Sequence, residues 1–164
     1  MAFNMLHHDY SIASGGIELL DRIAPLWMQL RQHHADGSPQ WRETILVQTF
    51  ENRKAELLAK ATSAIQVWIA MYRGEDIGYC VSTIAGDKGE IDSLFVAAAH
   101  RSNGIGHAFM TRSMDWFGSQ NVRSILIAVL SGNEGAQHFY ERYGFAPRSV
   151  QMNLLRGKSV GDNL

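Results

Sequence analysis

The chain has 164 residues, of which 46% are hydrophobic and 19% charged, with 15 Lys and Arg against 16 Asp and Glu. This is the composition of one globular domain, long enough to bury roughly two thirds of its unfolded surface, and it excludes a disordered or linker-rich chain. Near-neutral charge leaves no cation excess for a sequence-independent grip on nucleic acid, and the lone Cys80 excludes an intrachain disulfide or a cysteine zinc site.

Met1 to Tyr10 carries no basic flank followed by an apolar run of signal length, and no stretch approaches ~18 apolar residues, so a soluble cytoplasmic protein with no membrane partner is expected. His8 to Ala13 reads as a short first strand. Ser14-Gly15-Gly16 then turns the chain into an amphipathic segment in which Ile17, Leu20, Ile23, Ala24, Trp27 and Leu30 share one helical face. Pro25 should kink that helix or mark a new first turn. After a break at Asp36-Gly37-Ser38-Pro39, a second helical region starts near Trp41 and runs through Lys60.

From Ala64 the period changes to two. Ile65 to Tyr72, Ile77 to Ile84 and Glu90 to Val96 are joined by hairpin-length turns and should be antiparallel neighbours. A helix from Gly104 to Phe117 crosses over to an apolar strand, Ser124 to Leu130, which should lie parallel to Glu90 to Val96. A helix from Asn133 to Tyr143, ended by Gly144, and a closing strand from Ser149 to Leu155 complete the order β-α-α-β-β-β-α-β-α-β. The expected fold is α/β (α+β): one domain over residues 1–164, with a mixed sheet of about six to seven strands and helices on both faces.

The turn after Val96, Arg101-Ser102-Asn103-Gly104-Ile105-Gly106, faces a helix N-terminus, where backbone N–H groups lack intrahelical acceptors and the helix dipole is positive. Such a turn can bind phosphate, with Gly104 and Gly106 allowing close approach and Arg101 adding charge; the same glycines can equally serve only a tight turn. A P-loop is weakened because it needs Gly-Lys-Ser/Thr, whereas His107 and Ala108 follow Gly106. A dinucleotide fingerprint is weakened by Phe109 at its third small position and by the lack of an acidic residue on the next strand.

Arg-x-x-Gly-x-Gly after a strand ending in Val96 resembles the acyl-CoA signature of the GNAT superfamily of N-acyltransferases. Downstream, Asn133-Glu134-Gly135-Ala136-Gln137-His138-Phe139-Tyr140-Glu141-Arg142-Tyr143-Gly144-Phe145 is similar to that superfamily's Asn-x-x-Ala, Phe/Leu-Tyr and Gly-Phe run. The two motifs cover Glu90 to Phe145, about a third of the chain. The resemblance implies an acetyl-CoA-dependent N-acetyltransferase acting on a small-molecule or peptide amine in a ternary complex. It further implies that the strands Glu90 to Val96 and Ser124 to Leu130 splay around the pantetheine arm. Main chain at Leu94, Phe95 and Val96 would pair with that arm. Arg101, Ser102, Asn103, Gly104, Ile105, Gly106 and His107 would hold the pyrophosphate, and Asn133 would contact CoA. Ala97-Ala98-Ala99 departs from the family's usual acidic or Pro-containing step, tolerably so because the contacts there come from main chain.

A thiolate leaving group needs a proton, and the resemblance assigns that role to Tyr140; the helical stripe of Ala136, Phe139, Tyr140 and Tyr143 equally suits a core residue. Asn133 reads as an N-cap or turn residue, the resemblance implies a CoA contact, and both can hold. A lysine-like amine, with a pKa near ~10.4, is neutral in only about one molecule per thousand at pH 7, so deprotonating it is worth on the order of 4 kcal/mol. Some GNAT enzymes carry a glutamate five residues before the position of Asn133. Here that residue is Ala128, which counts against the ribosomal-protein type of acceptor. The remaining carboxylates are Glu90 and Asp92, expected to alternate onto one strand face with Leu94 and Val96, as bases acting through water or as a solvated strand end. The histidines lack the spacing of a metal site, so no metal is expected. Alternatives are a CoA-binding sensor without catalysis and a nucleotide-phosphate binder; a homodimer is left open. The acceptor site should be shaped by Ala35 to Phe50, the edges near Trp68 and Tyr79, and the loop after Leu130.

Overall fold

β-branched and aromatic runs pair as their period dictates. In the computed structural model, which describes residues 10–155, the strands are β1 (Ser11–Gly15), β2 (Ala64–Tyr72), β3 (Glu75–Ala85), β4 (Lys88–Val96) and β5 (Ser124–Ile127). They form one sheet in the order β1-β2-β3-β4-β5, antiparallel except for the β4 and β5 pair. Two-residue turns, Arg73-Gly74 and Gly86-Asp87, join β2 to β3 and β3 to β4, so local chain direction alone makes these three strands neighbours.

Five strands replace the expected six to seven. Ser149 to Leu155 forms no strand and pairs with nothing among the described residues, and Val150, Met152 and Leu154 are exposed. Alternation supplies a propensity, whereas a strand also needs an edge to pair with. The first strand is Ser11–Gly15, and His8 and Asp9 lie outside the described residues.

The helices are α1 (Ala24–Gly37), α2 (Arg42–Leu46), α3 (Phe50–Lys60), α4 (Ile105–Ser119) and α5 (Glu134–Glu141). Pro25 falls in the first turn of α1, where its missing N–H is harmless, and the preceding Ile17–Ile23 is 3-10 helix. The second helical region is broken at Gln48-Thr49. There Thr49 caps α3, its hydroxyl accepting the Asn52 amide at 3.2 Å.

Each sheet face has its own core. Leu20, Ile23, Trp27 and Leu57 pack with Val67, Ile69, Tyr79, Val81 and Phe95 on the face covered by α1 and α3. Ile105, Phe109, Met110, Phe117 and Tyr140 pack with Trp68, Cys80, Ile91 and Val96 on the other, covered by α4 and α5. Cys80 is fully buried, and burial pushes its thiol up to about 12, so it stays a neutral core group. No described helix is long and apolar enough to cross a membrane.

Candidate active site

The site is organised by an irregularity in β4. Val81 pairs with Ser93 but Ser82 pairs with Ile91, leaving Asp92 as an extra residue, a β-bulge. Pairing with β5 ends at the same point: the ladder runs from Lys88 with Ser124 to Ile91 with Ile127 and stops, although β4 continues for five more residues to Val96. The outer edge of β4 is therefore uncovered by β5 from Asp92 onward.

The Ala97 amide donates to the Ile77 carbonyl at 2.8 Å, so antiparallel alternation turns the main chain of Phe95 towards β3 and that of Val96 and Leu94 towards the uncovered edge. Of the three main-chain candidates, Leu94 and Val96 thus face the gap. Phe95 instead buries its ring in the α1 and α3 core. The Val96 carbonyl is occupied, because Arg101 Nε donates to it at 2.9 Å.

At the end of this edge stands the N-terminus of α4. Ser102 (φ 62°) and Gly104 (φ 79°) both adopt left-handed backbone, curling the turn, and no side chain caps the helix. The amides from Ser102 to His107 have no main-chain acceptor among the described residues, the first donation back into the helix being from Ala108 to Gly104 at 2.9 Å. Arg101 is clamped by its Nε–Val96 bond with its guanidinium 5.6 Å from the Phe95 ring, leaving its two terminal nitrogens for an anion. Asn103 donates to the His100 carbonyl at 3.2 Å and braces the turn.

Gly106 has a packing part as well. A Cβ there would lie 3.2 Å from the Phe139 ring, so its bare face admits α5 against α4. Its neighbour His107 hydrogen-bonds through Nδ1 to the Tyr143 hydroxyl at 2.9 Å and stacks on that ring. The two helices that bracket the gap are thereby held together.

Tyr140 is buried in the α4 and α5 core, edge-on to Phe139 at 5.2 Å, and its hydroxyl has no hydrogen-bond partner among the described residues. Burial, with a smaller contribution from the nearby Cys80 thiol, pushes its pKa well above the usual phenol range. It is a protonated phenol with its donor unused. Asn133 precedes α5 without capping it, so its side chain is left for another contact.

Glu90 and Asp92 do share a face, but the bulge separates them from Leu94 and Val96. Lys60 Nζ lies 2.8 Å from Glu90 Oε2 and 2.8 Å from Asp92 Oδ1 on the α3 side, whereas Leu94 and Val96 pack on the α4 side. Asp92 also accepts from the Thr83 hydroxyl at 2.6 Å and its side chain has no solvent exposure, whereas Glu90 retains 18%. Asp92 is closed off by these contacts, and of the two, Glu90 is the one water can reach.

One feature had only a weak sequence signal. The turn after α1 meets the loop after β5: Ser38 Oγ donates to the Ser131 carbonyl at 2.5 Å, and a Cβ on Gly132 would fall 2.2 Å from the Gly37 carbonyl. Between them lies a cavity of about 170 Å³ whose lining includes His33, His34, Ser38, Leu130 and Asn133. Burial, then the neighbouring His33, lowers the pKa of His34 and keeps it neutral. The separate segments expected to shape an acceptor site, Ala35 to Phe50 and the loop after Leu130, both contribute to this cavity. Among the described residues no group of three or more His, Cys, Asp and Glu is placed to hold a metal ion.

This combination of a bulged strand, an interrupted parallel ladder and an uncapped glycine turn defines an acyltransferase-type α+β fold. A model of the acetyltransferase (GNAT) family matches residues 27–145, and the chain belongs to that family. Its fold is similar to that of a GCN5-related N-acetyltransferase from Ralstonia eutropha JMP134 (TM-score 0.70, 17% identity, covering 90% of this chain and 99% of that one). It is also similar to a ribosomal-protein-alanine N-acetyltransferase from Brucella melitensis biovar Abortus 2308 (TM-score 0.62, 16% identity, 88% and 98% covered). A third similar structure is an aminoglycoside acetyltransferase from an uncultured soil metagenomic sample (TM-score 0.60, 13% identity, 88% and 95% covered). No curated protein sequence matches the chain.

Proposed function

We propose that the protein transfers an acetyl group from acetyl-CoA to a primary amine of a small molecule or peptide, by direct attack in a ternary complex. The observation that carries this reading is the end of the β4 and β5 ladder at Ile91 and Ile127, beside a helix N-terminus whose amides have no acceptor. An extended pantetheine arm needs the first of these features and a pyrophosphate the second.

In this reading the main chain of Leu94 and Val96 contacts the pantetheine arm, and Phe95 supports the strand from below. Ser102, Asn103, Gly104, Ile105, Gly106 and His107 cradle the pyrophosphate, with the terminal nitrogens of Arg101 on its oxygens. Asn133 reaches the arm from the opposite side. The amine nitrogen attacks the thioester carbonyl, the carbon–sulfur bond breaks, and the departing sulfur takes the Tyr140 hydroxyl proton. The proton lost by the amine passes through water to Glu90, while Asp92 fixes Lys60 and so the Glu90 carboxylate. The cavity beneath Gly132 receives the acceptor. The similar structures include one enzyme named for ribosomal-protein alanine and one named for an aminoglycoside, so likeness of fold at this identity does not select the acceptor class.

A second reading has a specific observation behind it. Both strand carboxylates are engaged by Lys60 and position 128 is alanine, as in a domain that binds acetyl-CoA as a sensor without turnover. The test is release of free CoA thiol across a panel of amines, including peptide N-termini, polyamines and aminoglycosides. Turnover by the wild-type chain that falls in Tyr140→Phe supports the enzyme. Thermal stabilisation by acetyl-CoA with no thiol released from any amine supports the sensor.

A further inference from the structure

On the reading that this site transfers acetyl groups, we propose that the acceptor is a small primary monoamine, its remaining body uncharged and no larger than a single ring, held between the end of α1 and the loop after β5. Size is the first constraint. The cavity there measures about 170 Å³, whereas clefts for drug-sized ligands start at roughly 300 Å³ and a cavity of about 150 Å³ holds one benzene ring. Its two walls are tied together. Ser38, 1% exposed, donates through Oγ to the Ser131 carbonyl, and a Cβ on Gly37 would stand only 3.2 Å from the Gly132 carbonyl. The body of an aminoglycoside or a peptide therefore does not fit within it.

Charge is the second constraint. A polyamine or an aminoglycoside brings several ammonium groups, and each one withdrawn from water needs an anionic partner. Among the described residues the only carboxylate lining the cavity is Asp36, and it is already committed: Arg42 Nη1 at 2.6 Å and Gln32 Nε2 at 2.9 Å both donate to its Oδ1. No described lysine or arginine lines the cavity to take an acidic group. What remains is the Leu130 and Asn133 side chains and the imidazoles of His33 and His34, the latter kept neutral chiefly by burial. This lining offers apolar and π surface to an uncharged ring, and no counter-charge to a second ammonium.

The experiment measures kcat/KM for thiol release from acetyl-CoA with phenethylamine, spermidine, kanamycin or an alanine-led tetrapeptide. Alongside it, the histidine ring resonances of the full chain are followed while each amine is titrated in the presence of CoA. Phenethylamine should exceed the other three by about 10-fold or more and should shift His34 saturably. His33 is exposed, so His33→Asp keeps the fold while adding a carboxylate to the lining. That variant should lower the preference for phenethylamine over spermidine about 5-fold. A wild type that prefers spermidine, kanamycin or the peptide overturns the proposal, as does a His33→Asp preference equal to that of the wild type. Thiol release from no amine, with phenethylamine still shifting His34 and spermidine leaving it unmoved, overturns acetyl transfer and supports the ligand class. A His34 resonance that phenethylamine does not move overturns the ligand class whatever the turnover.

Discussion

The Lys60 ammonium lies 2.8 Å from Oδ1 of Asp92, a carboxylate with no solvent exposure, at the bulge where β4 parts from β5. A buried carboxylate persists as an anion only while its partners do. Lys60→Met leaves Asp92 with the Thr83 hydroxyl but without its counter-charge, and should lower unfolding stability by about 2–3 kcal/mol in a urea titration. Adding Asp92→Asn should restore most of that loss; an additive double variant would contradict the pairing.

The same contact sets an alkaline limit. Burial works against the Lys60 charge, but its hydrogen bonds to Asp92 and Glu90 outweigh this and raise its pKa. A raised lysine contributes stability that is fully present below the unfolded value near ~10.4 and is lost as pH rises through the higher folded value. Wild-type stability should therefore fall more steeply above pH ~10.4 than that of Lys60→Met, measured by denaturant midpoints between pH 9 and 12.

His34 acts in the opposite direction. Its folded pKa is depressed, so the neutral form is favoured in the fold, and its contribution is present above the unfolded value near 6.5 and lost as pH falls through the lower folded value. Acidification below pH ~6.5 should destabilise the wild type more than His34→Gln. Equal slopes for the two proteins would show that the cavity does not hold the imidazole neutral.

The two glycines of the α4 turn should separate by substitution. Gly104→Ala forces a side chain into left-handed backbone and should cost about 1–2 kcal/mol, while also weakening acetyl-CoA binding several-fold as the amides shift. Gly106→Leu meets the Phe139 ring and should destabilise by about 1–3 kcal/mol through overpacking of α4 on α5. Calorimetric titration with acetyl-CoA and thermal melts on each variant distinguish the two effects.

Tyr140→Phe offers a catalytic test with little structural penalty, since the hydroxyl gives up no protein hydrogen bond. Melting temperature should be unchanged or slightly raised. Thiol release with the best amine of the panel should fall about 100-fold in kcat with KM for acetyl-CoA nearly constant. An unchanged kcat would remove Tyr140 from the chemistry.

Much of this architecture was legible from period and turn chemistry. β2, β3 and β4 follow their β-branched runs, and the Pro25, Gly104 and Gly144 positions punctuate the helices as their backbone limits require. The face of Asp92 was not legible, because one extra residue in a strand leaves no compositional mark and reverses every later side chain. For the same reason Glu90 and Asp92 looked aligned with Leu94 and Val96. The part played by Gly106 depends on Phe139, 33 positions later, and the cavity depends on contact between Gly37 and Gly132. Such long-range approaches have no local pattern. Ser149–Leu155 has the pattern of a strand but no edge beside it, which propensity alone cannot reveal.

Everything functional rests on the uncovered edge of β4 and the amides that open α4. The most direct measurement is a titration of isotope-labelled protein with acetyl-CoA, following backbone amide resonances. The account predicts saturable shifts largest at Ser102 to His107 and at Leu94 and Val96, reproduced in part by CoA and only weakly by ATP or NAD. Saturable binding that leaves those amides unmoved, or stronger shifts from ATP or NAD, would contradict it.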